Sequence, residues 1–294
     1  MDLSIIIVSW NVRDRLRECL RSIFNTAAGR SLSLEVFVVD NASRDGSAEM
    51  VRAEFPSATC IANDQNLGFA KANNQAIRQS TGEFALLLNP DMRVLPGALD
   101  GIVAFMRAPR NVRVGIAGCK LLDEHGTIVP HVRRFPRFVD QFLVLTKLGK
   151  LFPRLLDSYL VRDFDQNREA RVDSIRGSFF CIRRALLDKI GSLDEDFFIW
   201  FEEVDYCWRA RQAGWQVAYT PAVTCVDYVG QSFKQVRLFP KQRMFSASML
   251  HFFWKHRPRW EWAALAFVRP CVLGVAWVHD NVVAALCGRL RAGT

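Results

Sequence analysis

Short apolar runs alternate with amphipathic stretches along the first 90 residues of the chain. Within the amphipathic stretches, apolar residues recur every three or four positions, as in a helix with one buried face. The apolar runs are nearly continuous rather than alternating, which indicates strands that are buried on both faces. Strand–helix units at this spacing predict an α/β fold, with a mixed, mainly parallel sheet flanked by helices. The predicted strands are 4–10, 34–41, 58–63 and 84–89, and the predicted helices are 12–25, 43–55 with Ser43 as N-cap, and 68–80.

The pattern loosens between residues 130 and 172, where basic and aromatic residues mix, as in HVRRFPRF. We interpret 130–172 as an inserted, mostly helical segment. Regular periodicity returns in 174–191 and in the helical stretch within 197–215, and a strand follows over 216–228. The sequence therefore predicts one α/β domain over residues 1–232.

Positive charge is concentrated in a predicted helical region, 233–294. The net charge is +9, and this region has ten Lys or Arg against two acids, a local balance of +8. As a helix, its apolar stretch 262–278 would be about 25 Å long, short of the roughly 30 Å hydrocarbon core of a bilayer. Apolar, basic and tryptophan-rich sequence favours peripheral association with an anionic inner-leaflet membrane surface over binding to nucleic acid. The alternatives are a helix that completes a soluble core and an interface of a homo-oligomer.

Composition places the chain among folded enzymes. It has 294 residues, of which 50% are hydrophobic and 23% charged. The eight cysteines are scattered without a C-x-x-C pair, which argues against a zinc ribbon or a disulfide framework and fits a reducing compartment. The N-terminal residues show no basic segment and no cleavage site of small residues, so we expect no signal peptide and a cytoplasmic enzyme.

Amide and carboxylate side chains follow each predicted strand of the first 90 residues. The carboxyl ends of parallel strands form the ligand-binding edge of such a sheet. No G-x-G-x-x-G turn or Walker loop is present, so side chains would hold a sugar or nucleoside, and Mg²⁺ or Mn²⁺ would hold its phosphates. Asp91 is the best metal ligand by position, with a turn-forming role as the alternative. The polar residues are Ser9, Asn11, Asp40, Asn41, Asn63, Asn66, Asn89 and Asp91.

Five segments in order resemble one enzyme family over residues 3 to 232. They are SIIIVSWNVRDRLRECLRSI, VVDNASRDGS, NLGFAKANNQAI, LLLNPD and DEDFFIWFEEVDYCWRARQAGW. Together they are similar to the inverting family-2 glycosyltransferases of the GT-A fold, and most similar to the rhamnosyltransferase-like branch that builds bacterial surface polysaccharides.

The resemblance assigns roles at the donor side of the site. Asp40 matches the carboxylate that contacts the nucleotide base, with Ser9 and Asn11 in the same pocket. Asn66, Gly68 and Asn74 fall in the stretch around the ribose and phosphate. Asn89-Pro90-Asp91 takes the place of the D-x-D motif, so Asn89 would contact the donor and Asp91 the metal. Asp227 stands where many relatives have a histidine before Gly230-Gln231-Ser232, and it is either a metal ligand or a turn carboxylate.

The resemblance also places the catalytic acids in the segment Glu202-Glu203-Val204-Asp205. Glu203 matches the catalytic base, and Asp205 becomes a supporting residue that orients the acceptor or a neighbouring donor. Helical spacing puts Glu202 and Asp205 on one face and Glu203 about 100° away, so only one face would look toward the acceptor. The alternative is that acids in the first turn of a helix only complement its dipole.

The implied activity is transfer of a sugar from a nucleotide diphosphate donor. By resemblance the donor is dTDP-rhamnose, ahead of UDP- or GDP-sugars, and the acceptor is a lipid-linked or cell-surface glycan such as a polyprenyl-diphosphate-linked one. A non-catalytic binding protein on the same fold and a nucleotidyltransferase are the alternatives. The acids Asp40, Asp91, Glu203 and Asp205 weigh against the first, and the glycine-free SWNVRD turn weighs against the second.

Overall fold

We describe the protein from a computed structural model, which covers residues 1–27, 32–228, 230 and 236–292, with side chains to residue 283. The strands are β1 (Leu3–Ser9), β2 (Leu34–Asp40), β3 (Thr59–Ala62), β4 (Phe84–Leu88), β5 (Met92–Val94), β6 (Val114–Leu122), β7 (Ala170–Val172), β8 (Phe179–Arg183) and β9 (Gln216–Asp227). The α-helices are α1 (Arg13–Ala27), α2 (Ser47–Glu54), α3 (Phe69–Ile77), α4 (Ala98–Arg107), α5 (Phe138–Leu145), α6 (Asp157–Leu160), α7 (Arg184–Ile190), α8 (Glu202–Gln212), α9 (Leu238–His256) and α10 (Arg259–Ala292).

The strands form one mixed sheet in the order β3-β2-β1-β4-β8-β6-β9-β5, with β7 added beside β9. Strands β3, β2, β1 and β4 are parallel neighbours, and β6 is parallel to β9. Strand β8 runs antiparallel between β4 and β6, and β5 and β7 run antiparallel to β9. The predicted mixed, mainly parallel α/β architecture is confirmed.

Apolar residues pack on both faces of this sheet. One cluster joins α1, α2 and α4 to one face, and a second joins α3, α7 and α8 to the other. Burial on both faces explains why the strands are nearly continuously apolar. A third cluster packs α9 and the start of α10 against the loop before α8 and the first two turns of that helix. The C-terminal helices therefore extend the same body.

Two boundary predictions differ from the structure. The second helix begins at Ser47 rather than Ser43, because Ser43 belongs to the preceding turn: its N–H donates to Asp40 Oδ2 and its Oγ accepts from the Asn11 N–H. The segment 130–172 was predicted to be mostly helical, but only its middle is. Residues 130–137 form no helix, and Arg133 pairs with Ser174 in an antiparallel bridge.

The C-terminal helix is longer than the 262–278 stretch that the sequence predicts. It runs through Pro270 to Ala292, 34 residues, or about 50 Å at ~1.5 Å per residue. The argument from short length was therefore wrong, because Arg259–Val283 is long and apolar enough to cross a membrane by length and composition. The predicted boundary between residues 232 and 233 lies outside the described residues.

Candidate functional site

A cavity of about 560 Å³ lies at the carboxyl ends of the central strands. Its wall also includes parts of the segment 130–172, the loop before α8, and Phe245 of α9. Since parallel strands deliver their ends to one edge of the sheet, residues far apart in sequence meet there. The predicted site residues that line the cavity are Asn66, Gly68, Asn89, Asp91, Glu202, Glu203 and Asp227.

The turn after β4 positions the predicted metal ligands. The Asn89 N–H donates to the Ser178 carbonyl (3.0 Å), and the Met92 N–H donates to the Asn89 carbonyl (3.3 Å), which closes the turn around Pro90. Strand β5 then pairs Met92 with Asp227, and the Tyr228 N–H donates to the Asp91 carbonyl at 3.1 Å. The backbone of two distant strands therefore holds Asp91 and Asp227 beside each other.

These two carboxylates fit a hard divalent cation. Asp91 is 4% and Asp227 2% exposed, and both line the cavity. Two buried carboxylates with a neighbouring amide, Asn89, are the oxygen donors that Mg²⁺ or Mn²⁺ prefers when it also binds substrate phosphates. Arg176 is within 3.2 Å of Asp227 Oδ2 and partly balances the negative charge.

A second group of potential ligands, Asp194, Asp196 and His251, lies outside the cavity wall. Lys255 Nζ already bonds Asp194 Oδ2 at 2.6 Å, and His251 Nε2 lies 3.2 Å from the same oxygen. A cation there would have to displace the ammonium group. We therefore place the candidate metal at Asp91 and Asp227.

Ser9 and Asp40 lie side by side at the ends of the parallel strands β1 and β2, next to the cavity. They are partners in the β-ladder, and Ser9 Oγ and Asp40 Oδ1 are buried without a hydrogen-bond partner. Asp40 Oδ2 accepts from the Ser43 N–H, and Asn11 Oδ1 accepts from the Arg44 N–H. Unsatisfied buried polar atoms are costly, so this edge is suited to a ligand that supplies the missing hydrogen bonds.

Asn41 was listed among the polar residues at the predicted ligand-binding edge but was given no role, and it does line the cavity. Its Nδ2 donates to Asn66 Oδ1 (2.8 Å) and its Oδ1 accepts from the Leu67 N–H (2.9 Å), so it shapes the turn before α3. Asn74, in contrast, does not line the cavity. It is fully buried and bonds both backbone groups of Leu193, which ties α3 to the loop before α8.

Gly68 lets the loop before α8 approach the start of α3 closely. A Cβ atom at Gly68 would lie 2.4 Å from the Phe198 carbonyl oxygen, which accepts from the Phe69 N–H at 2.6 Å. The loop then bends sharply, because Trp200 and Phe201 both have positive φ angles, 64° and 70°. Bulky residues with positive φ are conformational outliers that persist only when packing enforces them. This bend delivers the first turn of α8 to the cavity.

Glu202 and Glu203 both line the cavity, contrary to the expectation that only one helical face would. The end of α8, rather than its side, abuts the cavity, so adjacent residues of the first turn reach it. The Oε2 atoms of both residues are buried without a partner. Burial raises the pKa of Glu203, and burial together with the charge of Glu203 raises the pKa of Glu202 further.

Asp205 does not line the cavity. Its carboxylate lies between α8 and α9, where Arg209 Nε bonds Oδ2 (2.7 Å) and Lys255 Nζ (2.8 Å) and His256 Nε2 (2.7 Å) approach Oδ1. Burial raises the pKa of Asp205, but these three partners outweigh burial and lower it. Its position therefore supports a structural role rather than direct contact with an acceptor.

The cavity wall also contains residues that were not singled out from the sequence. His131, Arg133 and Tyr159 come from the segment 130–172, and Arg176 precedes β8. Burial lowers the pKa of His131 to about 4, so this ring is neutral at physiological pH. The basic and aromatic composition of 130–172 was the available signal, but nothing local tells which of its residues turn inward.

Sequence and structure comparisons agree with this geometry. Residues 2–245 match the family model described as Glycosyltransferase like family 2. A Mycobacterium tuberculosis N-acetylglucosaminyl-diphospho-decaprenol L-rhamnosyltransferase is 27% identical over 244 residues, which cover 78% of this chain and 77% of the relative. The rhamnosyltransferase WbbL of Escherichia coli K12 is 26% identical over 170 residues, 55% of this chain and 61% of that protein.

Solved structures show the same fold at low sequence identity. A mannosyltransferase of Pyrobaculum calidifontis in complex with GDP-Man and Mn²⁺ superimposes with a TM-score of 0.58 at 20% identity, covering 99% of this chain and 79% of that one. The family match covers most of the chain, so this protein belongs to the family-2 glycosyltransferases and is an enzyme with the GT-A fold.

Proposed function

We propose that the protein is an inverting, metal-dependent glycosyltransferase that moves rhamnose from dTDP-rhamnose to a polyprenyl-diphosphate-linked glycan. The observation that carries the proposal is the division of one cavity between two kinds of acid. Asp91 and Asp227 form an oxygen-ligand pair on one side, and Glu203 faces the same space from α8. The first pair suits a leaving diphosphate, and Glu203 suits an acceptor hydroxyl.

The donor end would bind the nucleotide through Ser9, Asn11 and Asp40. Ser9 Oγ and Asp40 Oδ1 have no partner in the described structure and would bond the base. Asn66, Gly68 and Asn89 would lie along the ribose and phosphates, with the diphosphate directed toward Asp91. A bound Mg²⁺ or Mn²⁺ would neutralise the charge that develops on the leaving diphosphate.

Glu203 would act as the general base. The acceptor oxygen attacks the anomeric carbon and its proton passes to the Glu203 carboxylate, while the bond from that carbon to the diphosphate oxygen breaks. A single displacement inverts the anomeric configuration. The pKa of Glu203 is raised by burial, so its carboxylate is a stronger base than that of an ordinary glutamate. A general base works best when its pKa lies nearer the pH at which the enzyme operates.

The names of relatives support the choice of substrates. The Mycobacterium tuberculosis relative is named for rhamnosyl transfer to N-acetylglucosaminyl-diphospho-decaprenol, and the Escherichia coli relative is also a rhamnosyltransferase. We extend that chemistry to this chain and propose that its donor carries a deoxyhexose and that its acceptor is a diphosphate-linked glycan.

The exposed surface supports association with the inner face of the cell membrane. Phe267 is 85% and Val275 72% exposed on α10, and Leu151 is 71% exposed in the segment 130–172. The two regions are continuous, since the rings of Phe138 and Trp260 lie 5.3 Å apart. Lysine and arginine residues interspersed in both regions suit anionic headgroups, so we propose a peripheral, cytoplasmic enzyme.

The activity test is a panel of nucleotide sugars with Mn²⁺ or Mg²⁺ and a short-chain prenyl-diphospho-N-acetylglucosamine acceptor. We expect dTDP-rhamnose to give a glycosylated acceptor and released nucleoside diphosphate. Release of pyrophosphate would instead indicate a nucleotidyltransferase, and no product with any donor would indicate a binding protein.

The membrane test compares the wild type with the double variant Phe267→Glu and Val275→Glu and with a deletion of residues 260–294. Both exposed positions tolerate charge without loss of core packing, so the double variant should fold but shift to the soluble fraction. High salt should partly release the wild type, because it screens the basic component. If both altered chains still sediment with anionic vesicles, α10 is not the anchor.

A further inference from the structure

Two consecutive residues, Gly177 and Ser178, connect the two kinds of acid in the cavity. Both line the cavity and come directly before β8. On one side, the Ser178 carbonyl accepts from the Asn89 N–H at 3.0 Å, and Asn89 begins the turn that carries Asp91. On the other side, a Cβ atom at Gly177 would lie 3.8 Å from the Glu203 Cβ. This strip of wall therefore contacts both the turn of the proposed metal site and the proposed base.

The proposed displacement needs the transferred sugar to lie between these same two groups. The acceptor oxygen approaches the anomeric carbon from the side of the base, Glu203. The diphosphate oxygen leaves from the opposite side, toward the metal at Asp91. The ring that carries the anomeric carbon would therefore lie against the strip that contacts both sides.

The space at Gly177 is open for reasons other than the backbone. The φ angle of Gly177 is not in the left-handed region, so its conformation does not require glycine. A Cβ atom there would meet Glu203 and the ring of Phe69 only at 3.8 Å, which is an ordinary van der Waals distance. The added methyl group would therefore fit the protein, and it would occupy cavity space between Phe69 and Glu203.

The hydroxyl group of Ser178 is available to a ligand. Ser178 is 1% exposed, and its Oγ is buried without a hydrogen-bond partner among the described residues. Ser174 is a buried serine of the same wall, but its Oγ already donates to the Arg133 carbonyl at 3.1 Å. A serine hydroxyl donates one hydrogen bond and accepts others, as the hydroxyl groups of a sugar do. An unsatisfied buried hydroxyl beside open cavity space suits a sugar hydroxyl.

We propose that Gly177 and Ser178 form the subsite for the sugar that is transferred. The missing side chain of Gly177 leaves room for the sugar ring between Phe69 and Glu203, and Ser178 Oγ bonds one hydroxyl group of that ring. The proposal rests on the proposed function, because it takes the ligand to be a nucleotide sugar. It adds the two residues that contact the sugar rather than the nucleotide.

The first experiment measures the affinity of dTDP and of dTDP-rhamnose by calorimetry, both with Mg²⁺. Gly177→Ala should bind dTDP within about twofold of the wild type and dTDP-rhamnose about tenfold or more weakly, because an extra methyl group in a filled site is costly. Ser178→Ala should weaken only dTDP-rhamnose, by roughly 2- to 10-fold, as expected for one neutral hydrogen bond.

Two matched controls separate the subsite from the type of substitution. Gly274→Ala adds the same methyl group in α10, outside the cavity wall, where no atom lies within 4 Å of the new Cβ. Ser174→Ala removes a hydroxyl from the same wall, but one that the protein already uses. Neither control should change the affinity ratio of dTDP-rhamnose to dTDP.

Two results of this experiment would overturn the proposal. One is equal affinity for dTDP-rhamnose in wild type and Gly177→Ala. The other is an equal loss for dTDP and dTDP-rhamnose, which would assign the strip to the nucleotide. Circular dichroism and the unfolding temperature show whether each variant is folded, and Ser178→Ala carries the test by itself if Gly177→Ala is not.

The second experiment measures steady-state kinetics with a prenyl-diphospho-N-acetylglucosamine acceptor. Gly177→Ala should lower kcat/KM for the donor about tenfold or more and leave the acceptor KM unchanged. A raised acceptor KM with unchanged donor binding would assign the strip to the acceptor sugar and overturn the proposal. If the wild type prefers a UDP- or GDP-sugar, rhamnose as the transferred sugar is wrong. The same comparison, made with that nucleotide sugar and its nucleoside diphosphate, then still tests Gly177.

Discussion

The two sides of the cavity are built in different ways. On the proposed donor side, β1, β2, β3 and β4 follow one another along the chain, and the predicted polar residues, apart from Asn74 in α3, lie at the last position of a strand or in the loop after it. On the proposed acceptor side, the wall comes from the segment 130–172, the residues before β8, the loop before α8, and Phe245 of α9. The proposed donor side is therefore built from residues at or just after the ends of successive strands. The proposed acceptor side is built from segments that are far apart in sequence and meet only in the folded protein.

The same contrast recurs within one turn of α8. Glu203 faces the cavity with a buried, unpartnered oxygen, whereas Asp205, two residues later, is surrounded by Arg209, Lys255 and His256. Both are acids in the first turn of one helix, which the dipole favours in either role. The surroundings of each acid, rather than its position in the helix, therefore distinguish the proposed catalytic role of Glu203 from the structural role of Asp205. Each of the following predictions tests one side of this division.

The largest effect is expected on the donor side, from Asp91→Ala. We expect transfer to be abolished and the metal-dependent part of donor binding to be lost, because the buried pair Asp91 and Asp227 would lose one of its two carboxylates. The measurements are product formation and donor binding by calorimetry with and without Mn²⁺. Asp64→Ala, the same change at an exposed position, is the control. If the metal-dependent part of donor affinity is unchanged in Asp91→Ala, the assignment of Asp91 as a metal ligand is wrong.

Next is Glu203→Gln, which tests the acceptor side. Turnover should fall by ~10²-fold or more while donor affinity is retained, because the amide cannot take the acceptor proton. Glu202→Gln should cost less, since the pKa of Glu202 is raised well above its usual range and its neutral form resembles glutamine. The reverse ranking would move the base to Glu202.

The pH profile gives the same prediction a second readout. A general base works in its ionised form, and burial raises the pKa of Glu203. Activity should therefore fall as the pH drops through that raised pKa, at higher pH than for an ordinary glutamate near about 4.3. This acidic limb should be absent from the residual activity of Glu203→Gln.

Sequence reasoning reached the donor side because its signals are local. The ends of β1, β2 and β4 were predicted within one or two residues, and Asn66, Gly68, Asn89 and Asp91 line the cavity as the resemblance implied. Their roles in binding and catalysis remain predictions. Asp227 was also predicted as a candidate, because the family resemblance pointed to this position although it is far from Asp91 in sequence.

Sequence reasoning did less well wherever long-range contacts decide the outcome. Asn74 has a residue type that suits sugar binding, but it bonds the backbone of Leu193, 119 positions away. Arg133 is one of several arginines in a basic stretch, and only its bridge to Ser174 turns it toward the cavity. Helical periodicity also does not reveal that the N-terminal end of α8, rather than one of its faces, borders the cavity.

An intermediate effect is expected where the two sides meet, from Gly68→Ala. The added Cβ would lie 2.4 Å from the Phe198 carbonyl oxygen and push the loop that carries α8 away from the donor side. Because misplacement of about 1 Å can cost ~10²-fold, we expect kcat/KM to fall by roughly 10- to 100-fold. Gly126→Ala is the control: φ is similar, +80° against +83°, but no atom lies within 4 Å of the new Cβ. Equal, small losses in both variants would show that the contact does not position the site.

The smallest effect on turnover, with a large effect on stability, is expected from Asp205→Asn. The Asp205 side chain is 0% exposed and has three cationic or imidazole partners that join α8 to α9. Asp205→Asn leaves Arg209 without a carboxylate partner among the described residues, while Lys255 keeps its bond to Asp194, so we expect a loss at the lower end of about 3–5 kcal/mol in free energy of unfolding. Glu203 keeps its place in the folded protein, so turnover at 25 °C should change only a few-fold. Asp196→Asn, at an aspartate whose side chain is 80% exposed, should leave the unfolding free energy nearly unchanged.

The pH dependence of stability shows whether the charge of Asp205 is the cause. Its pKa in the folded protein is lowered, because the bonds from His256, Arg209 and Lys255 outweigh the opposing effect of burial. A carboxyl with a depressed folded pKa contributes stability that is fully present above its unfolded pKa, near about 3.9, and is lost as the pH falls toward the folded value. The stability gap between wild type and Asp205→Asn, measured by urea unfolding, should therefore be wide at pH 7 and narrow steadily below about pH 4. A gap that stays constant over this range would mean that Asp205 acts through shape alone. Loss of turnover matching that of Glu203→Gln in a well-folded Asp205→Asn would instead return Asp205 to the acceptor side of the site.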